Sequence, residues 1–333
     1  MTLPQLVEAF PTELAAIEYF EIVRWGEKPR CPYCNSTYVS APTKDHRRTC
    51  KMCARNGSVT VDTQLHNTRL PLRTWLMAFV LVTDAKKGIS AKQLERNLGI
   101  HYETAWKMGH QIRALMAIEN KELPPFDNIV EMDETFVGGK PRKPNNPVLM
   151  GATRTRIDGK LVQLQAEGYD FRPLKGNSAA VDVNVKRGRG SQKKTPVVGI
   201  VERDGNVIAE VMKTLTHANL KKMVQKYVDG EDAVLITDTY KGYSRFDKII
   251  EHVQIDHSVA YSYKGVNTNT IESFWAIIKR GIMGQYHQVS VKYLPNYISE
   301  FVFKYNNRKD DDMFETLVAN AMLTKVGPPK RLS

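Results

Sequence analysis

Apolar positions along the chain change their rhythm near residue 129. Before that point the readable elements are helices: one near the N-terminus, one at residues 72–83, and a pair at 90–97 and 101–113. From residue 129 onward, short apolar runs of strand length take over, at 129–136, 196–202, 206–212, 233–238 and 251–255. Arg203-Asp204-Gly205 between the second and third runs is a hairpin turn signal. Helical periodicity returns at 217–228, where Leu220, Met223, Val224 and Tyr227 share a face, and again at 270–280. The order strand, hairpin, helix, strand, helix, strand, helix predicts an α/β sheet flanked by helices, which suits a ribonuclease-H-like domain.

Composition narrows the setting. The 333 residues suffice for two or three domains, and the 42% hydrophobic fraction supports packed cores. A formal net charge of +12 favours a polyanionic partner, because each neutralised phosphate releases condensed counterions. No apolar run approaches the ~20 residues of a membrane span. The N-terminus, Met1-Thr2-Leu3-Pro4-Gln5, lacks the basic and apolar regions of a signal peptide, so the expected setting is the cytoplasm. A reducing compartment disfavours structural disulfides.

That bears on the four cysteines, which fall as Cys31-Pro32-Tyr33-Cys34 and Cys50-Lys51-Met52-Cys53 with fifteen residues between the pairs. Two such knuckles point four thiolates at one Zn²⁺, the zinc-ribbon pattern. Residues 38–40 and 46–49 are expected to form its hairpin, with His46 on the surface. A closed four-thiolate site is structural, with no open position for substrate.

The helix pair at 90–97 and 101–113 reads as a helix-turn-helix. Ser90 suits the N-cap, Gly99 the turn, and Tyr102, Glu103, Thr104 and Lys107 the exposed start of the second helix. Residues 138–195 carry thirteen Lys or Arg against four acids, including Arg187 and Arg189. They read as a basic insertion that grips DNA backbone.

Three acids carry the candidate chemistry. Asp133 and Asp238 follow apolar runs, and Glu272 lies early in the helix at 270–280. Two strand-end aspartates and a helical glutamate suit a pair of divalent ions acting on a phosphodiester, since hard cations prefer carboxylate oxygen. Lys279 lies seven residues after Glu272, on the same helix face, and with Arg280 is expected to contact DNA. Asn269 is expected to cap the helix and Trp275 to pack in the core. Alternation along the first strand is expected to turn Glu131 and Glu134 away from Asp133. Asp232 and Asp256 are rival second ligands, and His257 is a weaker phosphate contact.

The segments Met132-Asp133-Glu134-Thr135-Phe136-Val137-Gly138-Gly139-Lys140, Gly188-Arg189-Gly190, Thr237-Asp238-Thr239-Tyr240-Lys241-Gly242-Tyr243 and Asn269-Thr270-Ile271-Glu272-Ser273-Phe274-Trp275 resemble transposases of the IS1595 family, the ISXO2-like group. Gly284-Gln285-Tyr286-His287 and Tyr305-Asn306-Asn307-Arg308 continue the likeness, and the cysteine pairs resemble that family's zinc ribbon. The resemblance implies a DDE transposase that binds its element's terminal inverted repeats, cleaves there and transfers strands into target DNA. Asp133, Asp238 and Glu272 would be the three acids holding Mg²⁺ or Mn²⁺, and Lys279 the associated lysine. Synapsis of two double-stranded DNA ends implies a homodimer or larger homo-oligomer, associated with a prokaryotic nucleoid. The expected division is 1–68 for the N-terminal helix and ribbon, 69–122 for the helix-turn-helix, and 123–333 for the catalytic domain. Rival readings are a nuclease that does not join strands and a DNA-binding regulator derived from a transposase.

Overall fold

The computed structural model describes residues 1–119, 123–138, 154–157, 160–163, 194–255, 267–309 and 312–324. The chain opens with two helices, α1 (Leu3–Ala9) and α2 (Glu13–Trp25), capped by the hydroxyls of Thr2 and Thr12. Two short strands follow, β1 (Arg48–Thr49) and β2 (Asn56–Gly57), paired antiparallel. The stretch at 38–40 lies antiparallel to 49–51, as in the expected hairpin, through the Val39–Cys50 bridge and bonds from the Ser40 amide to the Thr49 carbonyl and from the Lys51 amide to the Tyr38 carbonyl; Arg48–Thr49 also pairs forward with β2.

Helix α3 (Leu72–Asp84) has no side-chain cap of its own. The Glu13 carboxylate supplies one, accepting from the Leu72 and Arg73 amides at 2.6 and 3.0 Å. Helix α4 (Ala91–Leu98) starts where Ser90 accepts from the Gln93 amide and ends at Gly99, whose φ of 63° is the left-handed C-cap glycine favours. Helix α5 (Tyr102–Glu119) runs six residues beyond the expected end at Arg113.

The sheet begins with β3 (Ile129–Val137), which continues four residues past Asp133. A separate antiparallel pair, β4 (Arg154–Ile157) and β5 (Lys160–Gln163), follows. Strands β6 (Thr195–Glu202) and β7 (Val207–Val211) form the expected hairpin, turning at Asp204 with φ 57°. Helix α6 (His217–Tyr227) leads to β8 (Val234–Asp238), and β9 (Glu251–Ile255) completes the sheet. No helix forms between β8 and β9: left-handed Arg245 splits the stretch into two 3₁₀ turns. Helix α7 (Asn269–Gly281) runs into a π turn at Ile282–Tyr286. Helices α8 (Leu294–Asn306) and α9 (Met313–Leu323) end the described chain.

The strand order is β7-β6-β3-β8-β9, with β6 antiparallel to both β3 and β7, and with β8 and β9 parallel to β3. This mixed five-stranded order is the ribonuclease-H-like arrangement. Val130 and Met132 face the core shared with α6, while Val137, Val197 and Val201 face the core shared with α7 and α8.

A third core joins α1, α2, α3 and α5 to the end of the chain: Phe314, Leu317, Val318, Ala321 and Met322 of α9 are buried among the N-terminal helices. The expected cut at residue 123 therefore leaves this last helix on the wrong side. A buried charge cluster also crosses that line. Glu300 of α8 accepts from Arg113 of α5 at 2.7 Å and from Lys304 at 2.6 Å, and Lys304 also donates to the Ala85 carbonyl. Tyr286 donates to the same carboxylate, and Gly88 leaves it room: a Cβ there would lie 1.8 Å from the Tyr286 hydroxyl. Among the described residues, no helix is long and apolar enough to cross a membrane.

Candidate active site

Asp133 and Asp238 come together through the sheet. Strand β3 pairs with β8 as far as Met132 opposite Thr237, so the two aspartates follow on adjacent strands. Asp133 lies inside its strand and Asp238 ends its own. The Asp238 carboxylate is steadied by the Tyr240 amide, which donates to it at 2.9 Å.

On its other side Asp133 faces Gly199 of β6. Trp275 and Ile271 of α7 lie over that glycine so closely that a Cβ would meet the Trp275 ring at 2.7 Å. Glycine therefore lets α7 settle near Asp133. Trp275 is 2% exposed and packs in the core, as expected. Glu272, Lys279 and Arg280 are exposed on α7, and the Thr268 hydroxyl donates to Glu272 at 3.2 Å.

The Asp133 carboxyl is pushed up to about 7, chiefly by burial and then by the charge of Glu134, with Asp238 and Glu272 adding to it; the Glu134 amide acts the other way. Asp133 thus feels the charge of both other candidate acids. Negative charge gathers here in excess of local positive charge, the condition a divalent cation relieves.

The neighbouring glutamates do not behave alike. Glu134 turns to the α6 side, where Tyr243 donates to it at 2.6 Å, as alternation requires. Glu131 does not turn away: two residues from Asp133, it shares that face of β3, because the period of a strand is two. It is excluded as a rival ligand by its bonds. It accepts from the Thr270 and Ile271 amides at the start of α7 and pairs with Arg203. This carboxylate, not Asn269, caps α7; Asn269 is the first helical residue, and its amide donates to the Asn267 side chain. A charged residue at an inward strand position was the only signal in the sequence for this role.

The four cysteine sulfurs lie within 4.8 Å of one another, with Cys31–Cys53 and Cys34–Cys50 each at 3.6 Å. Sulfurs bound to one tetrahedral Zn²⁺ at ~2.3 Å would stand about 3.8 Å apart, so the set fits zinc. It is far too open for a disulfide, whose sulfurs sit at ~2.05 Å. The Cys50 thiol is lowered to about 6, led by the Cys53 backbone amide and helped by that of Met52. His46 stands outside the set. Among the described residues only these cysteines form so tight a group. Arg48 of the ribbon grips Glu21 of α2 with two bonds of 2.7 Å, locking the ribbon to the helices.

Lys107, Tyr102 and Glu103 are exposed at the start of α5 and line a shallow hollow of about 260 Å³ with Trp106. Asp232 is exposed ahead of β8. Arg187, Arg189, Asp256 and His257 lie outside the described residues, as does most of the 138–195 segment.

Residues 167–306 match the model of the ISXO2-like transposase domain, and residues 11–56 match that of the transposase zinc-ribbon domain. Asp238 and Glu272 fall inside the first match and Asp133 ahead of it. No curated protein matches the chain. Among solved structures it is similar to the Mos1 strand transfer complex, with 12% identity over 74% of this chain and 78% of that one and a TM-score of 0.28. It is also similar to the Mos1 mariner paired end complex with Mn, with 14% identity, coverage of 76% and 79%, and a TM-score of 0.28.

Proposed function

The chain belongs to the IS1595 family of ISXO2-like DDE transposases, and from that premise we propose that Asp133, Asp238 and Glu272 are the acids of its DNA-cutting and joining site. One observation carries the assignment. Burial and the charges of Glu134, Asp238 and Glu272 push the Asp133 carboxyl up to about 7 on a ribonuclease-H-like sheet. Held by these acids, Mg²⁺ or Mn²⁺ would supply Lewis acidity to the scissile phosphate and acidify the attacking hydroxyl.

The chain's own residues do the rest. Lys279 and Arg280 share the exposed side of α7 with Glu272 and hold DNA backbone beside the reacting phosphate. Helices α4 and α5, with Lys107 on the outer face, act as the helix-turn-helix that reads the terminal repeats, alongside the zinc-bound ribbon. The basic segment carrying Arg187 and Arg189 grips backbone without reading sequence. Two ends must be held together, so the working unit is a homodimer or larger, bound to double-stranded DNA at the nucleoid.

The test is cleavage of the element's end DNA with Mg²⁺ by Asp133→Asn, Asp238→Asn and Glu272→Gln, with strand transfer from pre-cut ends as a second readout. Each variant is expected to bind ends normally and to lose more than about 100-fold in both steps, exceeding the effect of removing a ligand's outer partner. Undiminished cleavage in all three would overturn the assignment.

A further inference from the structure

Glu131 lies two residues before Asp133, on the same face of β3, and is fully buried. Its carboxylate accepts three hydrogen bonds from the first turn of α7: the Thr270 amide at 2.9 Å, the Thr270 hydroxyl at 3.0 Å and the Ile271 amide at 3.0 Å. The two amides are donors that no carbonyl within the helix can satisfy. Arg203, in the turn between β6 and β7, donates Nε–H to Glu131 at 2.9 Å and a second N–H to the Asn267 carbonyl at 2.9 Å. One carboxylate therefore ties together the strand bearing Asp133, a hairpin turn and the segment that enters α7.

Glu272 is the residue immediately after Ile271. The height and rotation of the first turn decide where its side chain reaches, and Glu131 holds that turn by its peptide groups. We infer that Glu131, braced by Arg203, is a positioning residue that sets Glu272 against Asp133 for metal binding. The inference rests on the reading of Glu272 as a metal ligand. A cap that merely stabilised α7 would show the same bonds, so the test must separate stability from placement.

The probe is Mn²⁺ binding to the full zinc-loaded chain, measured by calorimetry without DNA, for Glu131→Gln alone and in a Glu272→Gln background. Removing an outer partner of a metal ligand weakens metal affinity by about 10–100-fold. Glu131→Gln is expected to weaken Mn²⁺ binding by about tenfold at a temperature well below its melting transition. In the Glu272→Gln background it should add nothing, because its effect passes through Glu272. Unchanged binding in the single variant overturns the inference, and so does an equal loss in both backgrounds, which marks a general structural effect. Where Glu131→Gln fails to fold, Arg203→Met carries the same test, since it leaves the helix cap in place and removes only its brace. If Glu272→Gln alone leaves Mn²⁺ binding intact, the ligand assignment fails instead, and the two failures are distinguished.

Discussion

At the scale of single residues, Asp133 links stability to chemistry. Burial above all, with neighbouring negative charge, pushes its carboxyl from the ordinary 3.8 up to about 7 in the folded protein. Between those values the native state binds more protons than the unfolded chain, so in the metal-free protein stability falls as pH rises through this window. Asp133→Asn removes that loss: its melting temperature should exceed the parent's at pH 8 and match it near pH 4, by calorimetry in chelator. With metal present, proton and cation compete for the same carboxylate, so the half-saturating Mn²⁺ concentration should rise as pH falls from 8 to 6. A pH-independent Mn²⁺ requirement would contradict this. Asp133 was legible because an acid among apolar residues is conspicuous. Glu131 was not, because its partners are Arg203, 72 residues away, and Thr270 and Ile271, 139 and 140 residues away.

At the scale of elements, two helices start on a carboxylate borrowed from elsewhere: α3 on Glu13 and α7 on Glu131. Neither start has a local N-cap side chain, which is why sequence rules found the cap of α4 at Ser90 and misassigned that of α7. The length of α5 was missed for a related reason. Arg113, where the helix was expected to end, is 5% exposed and paired with Glu300, and Leu115 and Met116 carry the buried face onward. One turn earlier, His110 is buried among Trp106, Tyr293 and Tyr297, and neither ring nitrogen has a partner. Burial lowers its pKa to about 4, with Arg113 adding and Glu300 opposing. Folding therefore favours the neutral ring: its contribution is intact above the unfolded value near 6.5 and is lost as pH falls toward 4. Unsatisfied buried polar atoms cost about 1–3 kcal/mol. His110→Phe should thus raise the melting temperature, by more at pH 5 than at pH 8. A lower melting temperature at both values would show that the ring nitrogens are satisfied in solution.

At the scale of the whole molecule, the chain closes on itself. Linear reading divides it at residue 123, shortly before the rhythm of apolar positions changes, because core partners far apart in sequence leave no local mark. In space, α9 returns to complete the N-terminal core, and the Glu300 cluster ties α5 and the loop after α3 to α8 and the π turn. The consequence is cooperative: the N-terminal helices and the five-stranded sheet should unfold together. Glu300 is fully buried. Burial alone would raise its carboxyl, but Lys304 and Arg113 outweigh that and hold it at about 2, below its usual 4.5. Its contribution is present above pH 4.5 and lost as pH falls toward 2. Glu300→Ala leaves Arg113 and Lys304 buried without their shared anion, a change that costs about 3–5 kcal/mol. Denaturant unfolding at pH 7 should show that loss, and the single transition of the parent should split, because the tie between the two parts is gone. Replacing all three charges together with Arg113→Met, Glu300→Leu and Lys304→Met should recover most of the lost stability, since no unpaired charge remains buried. If Glu300→Ala unfolds in one transition with undiminished stability, the cluster does not couple the parts, and the shared α9 core alone must hold them together.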